Sequence, residues 1–401
     1  MHSVSWRVSF IALVVLSQPT TARADGGYFP SNVAPGSTAE TTDQRAVLLY
    51  ERGYTTLILQ TGYKGSGDGF SWVVPTADLV TREDVDVITT PVFDNLHAET
   101  APMLVTFTQG CGAFGCAGSG EASSTGDNPE VRIFDAFKVD NYDISVLTAT
   151  DSQNLTSWLN TNGYRTPANA AAVFDDYVSR RFYFLAIRFD RPVEAPRATG
   201  GDTDTTATPD DNMAKPLAIR FAGAMRIFPL TISSLSTRDT VDLVLYTIDT
   251  RRYTVLNFPT AEMEIKDTFK GEDFTGWYNE RLDAAIAQNG GNAFMVEFAA
   301  TIDDYQLANI LGRTPDAAIA DTQSWFVTRF RTRLPPEAMT QDVQVAPLLG
   351  DEATKLHRIR VMRGGKPGNV AASVPLDLTL VVALGLMLQW RRRRLDSRGE
   401  R

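Results

Sequence analysis

The chain is poor in the residues on which most catalytic chemistry depends. Its 401 residues include three histidines and two cysteines. His2 falls in a leader segment, so imidazole chemistry would rest on His97 or His357. His97 stands among Asp94, Asn95 and Glu99, which are able to orient an imidazole, but the pattern reads as an exposed histidine on a polar turn. No P-loop, H-E-x-x-H, G-x-S-x-G or dinucleotide-binding fingerprint occurs. Gly65, Gly67 and Gly69 alternate without a following helix start and read as a turn. A basic excess is also missing. The formal net charge of −10 excludes nucleic acid as the expected partner, because phosphate binding needs a basic face. No catalytic residue, cofactor or metal site is assigned on these grounds.

Nor is there an uninterrupted apolar run of the ~20 residues needed to cross a bilayer. Two shorter runs mark the ends. Arg7 precedes the apolar stretch Val8–Leu16, and Ala22-Arg23-Ala24 places small residues where a signal peptidase reads, so residues 1–24 read as a secretory signal peptide. Near the other end Leu378–Trp390 is apolar and is followed at once by Arg391, Arg392, Arg393 and Arg394. At ~1.5 Å per helical residue this core covers about 20 Å of a roughly 30 Å hydrocarbon layer. Residues 378–394 are expected to form a transmembrane-type anchor helix with the arginines as a cytoplasmic stop, preceded by a juxtamembrane linker at 366–377. That assigns the membrane as a partner and places the ectodomain in the periplasm or outside the cell. Val374-Pro375, an apolar run and a terminal arginine cluster are also similar to the sorting tails of Gram-negative surface proteins. Pro375-Leu376-Asp377 departs from the Pro-Glu-Pro form of such tails. Cleavage of the tail and surface sorting is the alternative outcome.

Between the ends, composition is that of ordinary globular protein, with 43% hydrophobic and 21% charged residues. Strand patterns recur: Arg45–Tyr50 and Tyr54–Gln60 around the turn Glu51-Arg52-Gly53, then Phe70–Pro75, Val131–Phe137, Tyr142–Leu147 and Phe182–Phe189. Later strands are expected at 217–221, 225–232, 241–248, 253–258, 293–300, 325–333 and 356–361. Helices are expected within 83–97, after the cap at Thr150 or Asp151 to Asn162-Gly163, and at 168–180, 272–288 and 305–311. Strands mostly follow strands through short turns, which predicts an α+β fold of mostly antiparallel sheets with a few packed helices. Residues 25–194 and 213–365 form the two parts of the ectodomain, joined by a Thr/Asp-rich linker or loop at 195–212.

Cys111 and Cys116 share a glycine-rich loop and, in an exported chain, are expected to form a disulfide. Asp202, Asp204, Asp210 and Asp211 are hard oxygen ligands without EF-hand spacing and read as part of the acidic linker. Asp175-Asp176 and Asp303-Asp304 are sequence neighbours whose side chains diverge on a helix, so neither pair makes an acid/base dyad by itself. Arg329-Phe330-Arg331-Thr332-Arg333 alternates like the solvated face of a strand. Trp72, Trp158, Trp277, Tyr278 and Trp325 are able to stack on sugars or peptides but sit in patterns typical of core.

Several stretches together resemble a bacterial family known as domain of unknown function 2330. These are Phe70-Ser71-Trp72-Val73-Val74-Pro75, Val92-Phe93-Asp94-Asn95-Leu96 with Thr100-Ala101-Pro102, Tyr142–Leu147, Leu155–Tyr164 and Thr328–Leu334. The resemblance covers most of residues 25–345. Relatives commonly open the mature chain with two cysteines around a Gly-Gly-aromatic frame, and Asp25-Gly26-Gly27-Tyr28-Phe29-Pro30 keeps the frame without either cysteine. The family brings no established activity, so no residue role carries over. The expectation is a membrane-tethered extracytoplasmic protein whose ectodomain binds or scaffolds an envelope protein or polymer without catalysis. The alternative is a carboxylate-dependent hydrolase of envelope polymers.

Overall fold

The computed structural model describes residues 27–30, 39–65, 69–105, 131–190, 212–315, 324–348 and 355–363. The signal peptide expected at 1–24, the disulfide expected between Cys111 and Cys116, nearly all of the 195–212 segment, and the anchor expected at 378–394 with Arg391, Arg392, Arg393 and Arg394 lie outside these residues. The described elements belong to one compact unit that runs to Met362.

The first part of the chain supplies β1 (Gly27–Pro30), β2 (Ala39–Glu51), β3 (Tyr54–Gly65), β4 (Gly69–Thr76), β5 (Val85–Val87), α1 (Val92–Thr100) and β6 (Met103–Val105). Next come β7 (Val131–Val139), β8 (Tyr142–Ala149), α2 (Ser152–Thr161), α3 (Ala170–Ser179), β9 (Tyr183–Asp190), β10 (Asn212–Met213), β11 (Leu217–Ala222) and β12 (Ile227–Phe228). The remainder gives β13 (Val241–Asp249), β14 (Tyr253–Val255), β15 (Thr260–Glu262), α4 (Phe274–Gln288), β16 (Phe294–Asp303), α5 (Asp304–Leu311), β17 (Ser324–Leu334), β18 (Val343–Pro347) and β19 (Arg360–Met362).

The fold is α+β, with most strands in two large sheets. One runs β15-β16-β17-β13-β2-β3-β11-β5, with β10 also paired to β3; the other runs β1-β4-β9-β8-β7. The five-stranded sheet is antiparallel throughout. The larger sheet is mixed, because β13 pairs with β2 and β15 with β16 in parallel. This refines the antiparallel expectation. Well over a hundred residues separate β2 from β13, and a connection that long lets a strand enter in either sense.

Alternation along the strands builds four layers. Ala46, Leu48, Leu57 and Leu59 of the larger sheet meet Trp72, Val74, Ile144 and Ile187 of the smaller one. On the smaller sheet's other face Val73 and Phe184 meet Leu155 and Trp158 of α2 and Phe174 and Tyr177 of α3. On the larger sheet's other face Val47, Leu49 and Ile58 meet Phe93 and Leu96 of α1 and Leu307 and Ile310 of α5. Tyr278, Leu282 and Ile286 of α4 cover Met295 on β16. Both faces of β2 are therefore dry, which explains the unbroken run Ala46-Val47-Leu48-Leu49-Tyr50, every residue of it buried.

Local chemistry sets the helix ends. Asp151 accepts from the Asn154 backbone N–H at 2.8 Å and caps α2, as its sequence suggests. Asp303 and Gln306 form a reciprocal capping box on α5. Several expected elements come out differently: the strands expected at 253–258 and 356–361 shorten to β14 and β19, and two others change for a visible reason. The strand expected at 225–232 shrinks to β12, since Pro229 lacks the N–H a ladder needs and Thr231–Leu235 turns as a 3₁₀ segment. The helix expected within 83–97 is displaced to α1, because Val85–Val87 pairs with β11 instead. Among the described residues no helix is long and apolar enough to cross a membrane.

Candidate functional site

Three turns meet at one end of the larger sheet. The β2–β3 hairpin closes with Arg52-Gly53, whose φ values of 51° and 80° are those of a two-residue turn matched to strand twist. Glycine at the second position carries no Cβ penalty there. The β11–β12 turn is stitched to this hairpin: the Gly223 N–H donates to the Gly53 carbonyl at 2.7 Å, and the Thr55 hydroxyl donates to the Gly223 carbonyl at 2.7 Å. The Met225 N–H donates back to Thr55 Oγ1 at 2.9 Å, and the Tyr50 hydroxyl donates to the Met225 carbonyl at 3.0 Å. The third turn follows β13, where Asp249 accepts from the Thr250 N–H at 2.6 Å.

These turns enclose an open cavity of about 380 Å³ lined by Tyr50, Glu51, Tyr54, Gly223, Asp249 and Trp325, among others. Its walls are rigid. Tyr50 stacks on Tyr253 with centroids 4.8 Å apart and planes 11° from parallel. Trp325 is buried and its indole N–H donates to Asp304 at 3.0 Å. Tyr54 is 42% exposed, and the Arg220 guanidinium lies over its ring 3.8 Å from the centroid. Burial pushes the phenols of Tyr50 and Tyr253 well above the ordinary tyrosine range, so both remain neutral donors.

The two carboxylates of the cavity are already engaged. Glu51 is gripped by both Arg313 nitrogens at 2.7 and 2.8 Å, and this bond raises the guanidinium's own pKa. Asp249 holds its own turn and accepts from the Tyr253 hydroxyl. The site offers oriented hydrogen-bonding groups and ring faces, with arginine, tyrosine and backbone partners on its acids.

The basic strand segment requires a correction. Arg329, Arg331 and Arg333 do share one face of β17, but that face is not solvated, and Arg329 and Arg331 are among the most deeply buried side chains. Arg329 donates to Glu297 at 2.6 Å and to the Tyr246 hydroxyl, while Tyr278 of α4 donates to the other Glu297 oxygen at 2.6 Å. Arg331 donates to both Asp242 oxygens at 3.0 and 2.7 Å and to Asn279 at 3.0 Å. Glu297 reaches this face because it is the extra residue of a bulge in β16, where the register steps from Val296 opposite Phe330 to Phe298 opposite Arg329. The network anchors α4 to the sheet.

The other sequence candidates are structural where they are described. Asp175 accepts from the Ser152 hydroxyl, and Asp176 pairs with Arg180 at 2.8 Å. Asp303 caps α5 and Asp304 holds Trp325. Trp72, Trp158 and Tyr278 are buried in core clusters, and Trp277 packs on Phe269 and Phe274 with Arg281 over its ring at 3.7 Å. His97 ends in the last turn of α1, where its carbonyl accepts from the Ala101 N–H. Among the described residues no cluster of His, Cys, Asp and Glu could hold a metal ion. The sequence reading missed Tyr50, Glu51, Tyr54 and Asp249. The available signal was Tyr-Glu-Arg-Gly-Tyr, a tight turn with an aromatic at each flank.

A family model described as an uncharacterized protein conserved in bacteria (DUF2330) matches residues 19–346. The chain belongs to this family. The match spans every element of this DUF2330 member from β1 to β17, together with the cavity walls. No curated protein and no solved structure matches the chain.

Proposed function

We propose that the protein is a membrane-tethered, extracytoplasmic binding or scaffolding protein of the bacterial cell envelope, and that the hairpin-end cavity is its contact surface for an envelope protein or polymer. The tether and the location rest on the two chain ends: the leader through Ala24 and the apolar segment closed by Arg391–Arg394. Binding without turnover rests on one observation. Glu51 and Asp249 both already serve as structural acceptors, Glu51 in a two-point arginine clasp and Asp249 in its own turn.

The test places a photo-crosslinking amino acid at Tyr54 in the full-length protein in its native envelope, with Leu79, exposed but outside the cavity, as the control position. A specific envelope product from position 54 and not from 79 is expected. Equal labelling from both positions, or none from 54, would sink the reading. Hydrolysis remains the rival, because two carboxylates from separate strands line one cavity. It demands that Glu51→Gln and Asp249→Asn each reduce turnover of an envelope polymer by roughly 10²-fold or more.

A further inference from the structure

We infer that the hairpin-end cavity takes a neutral sugar unit of a glycan chain; the inference rests on the binding reading above and names its ligand class. Charge decides first. The acids of the cavity, Glu51 and Asp249, are balanced by Arg52 in its wall and by Arg313 on Glu51. With Arg220 on Tyr54 and Asp304 on Trp325 added, acids and guanidiniums alternate around the cavity, and no field of one sign selects an anion such as phosphate or an organic cation.

Shape and chemistry decide next. Tyr54 presents an exposed ring, held by Arg220 on one face, while Tyr50 is buried in its stack with Tyr253 and backs the cavity as part of the core. An exposed aromatic ring of this kind suits a ligand with a flat apolar face. The same walls carry fixed acceptors on Glu51 and Asp249, each with lone-pair capacity beyond the bonds it makes, and guanidinium donors. An apolar face joined to several hydroxyls is the signature of a pyranose ring. The cavity is open, so a chain is able to enter and leave it, and about 380 Å³ falls in the lower range of ligand pockets, roughly 300–1,000 Å³. The space above the glycine turns is clear, since a Cβ at Gly53 or Gly223 would meet nothing within 4 Å.

The experiment titrates full-length protein in detergent micelles with defined tetrasaccharides, neutral (hexose or N-acetylhexosamine), anionic (hexuronate) and cationic (free hexosamine), and with a set of neutral peptides, following heat release and tryptophan fluorescence. Saturable binding of a neutral tetrasaccharide is expected, weakened roughly tenfold or more by Tyr54→Ala and changed less than about twofold by Tyr54→Phe. Thermal denaturation of Tyr54→Ala checks that the fold is intact. Stronger binding of either charged oligomer overturns the inference, as does neutral-sugar binding that Tyr54→Ala leaves unchanged. Absence of neutral-sugar binding overturns the ligand class. Tyr54-dependent peptide binding, or a Tyr54 cross-link to an envelope protein alone, would do the same while leaving the binding reading in place.

Discussion

Asp342 is completely buried between α3 and the 3₁₀ turn at Thr231–Leu235. Its Oδ1 accepts from the Thr231 hydroxyl at 3.2 Å and the Tyr177 hydroxyl at 3.4 Å, and its Oδ2 lies 3.5 Å from Arg180. Desolvation outweighs these partners, and Arg180 is shared with Asp176, so the carboxyl is pushed up to about 7 from an ordinary 3.8. The sign follows from proton counting. Between the two values the folded chain keeps the proton and the unfolded chain has released it. This group's stabilisation is therefore complete below about pH 4 and is withdrawn as pH rises through 7, by up to a few kcal/mol. Asp342→Asn should flatten that part of the stability profile, raising the urea midpoint at pH 8 far more than at pH 5. An equal change at both pH values would show that the carboxyl does not titrate in this range. Glu297 and Arg329 make the complementary case of a buried carboxyl group in direct contact with a buried guanidinium, 2.6 Å apart. Nothing in the single letters distinguished these three residues from surface charges, because burial depends on what packs above them.

At the scale of elements, two glycines test how turns hold the layers. Gly312 ends α5 at φ 65°, and a Cβ there would run into the side chain of Thr90, just before α1. Gly53 has φ 80° in the hairpin, with open space where a Cβ would go. Gly53→Ala should therefore cost only the backbone penalty, about 1 kcal/mol. Gly312→Ala adds a steric clash and should cost more, by 1–3 kcal/mol on the order of overpacking. Chemical denaturation of the two variants decides it, and equal losses would show that the α1–α5 contact yields freely. The helix cap at Asp151 was legible in the sequence because capping is local; Asp303, read there as one of two neighbouring helical carboxylates, is the cap of α5. The bulge at Glu297 was not, since it exists only as a mismatch with a partner strand.

For the whole molecule, the proposed membrane tether is open to a direct test. Full-length protein should stay with membranes through a high-salt wash, and deletion of residues 366–401 should release a folded, soluble protein. Release of the intact chain by salt alone would remove the tether from the account. The compact unit sets the cut: Arg360–Met362 pairs with β6, and the Phe269 N–H donates to the Met362 carbonyl at 3.0 Å. Truncation before Arg360 should accordingly destabilise the compact unit, whereas truncation at 366 should not; thermal denaturation of the two truncated proteins compares them.

The sequence by itself determined the positions of most strands and helices, the α+β class and the family, because periodicity, turn residues and caps act over a few neighbouring residues. Tertiary structure alone decided that β2 and β13 run parallel, that the face bearing Arg329 and Arg331 is covered by α4, and that Tyr50, Glu51, Gly223, Asp249 and Trp325 share one cavity. Those outcomes depend on contacts between segments many tens to hundreds of residues apart, and side-chain chemistry fixes them only once the layers have closed.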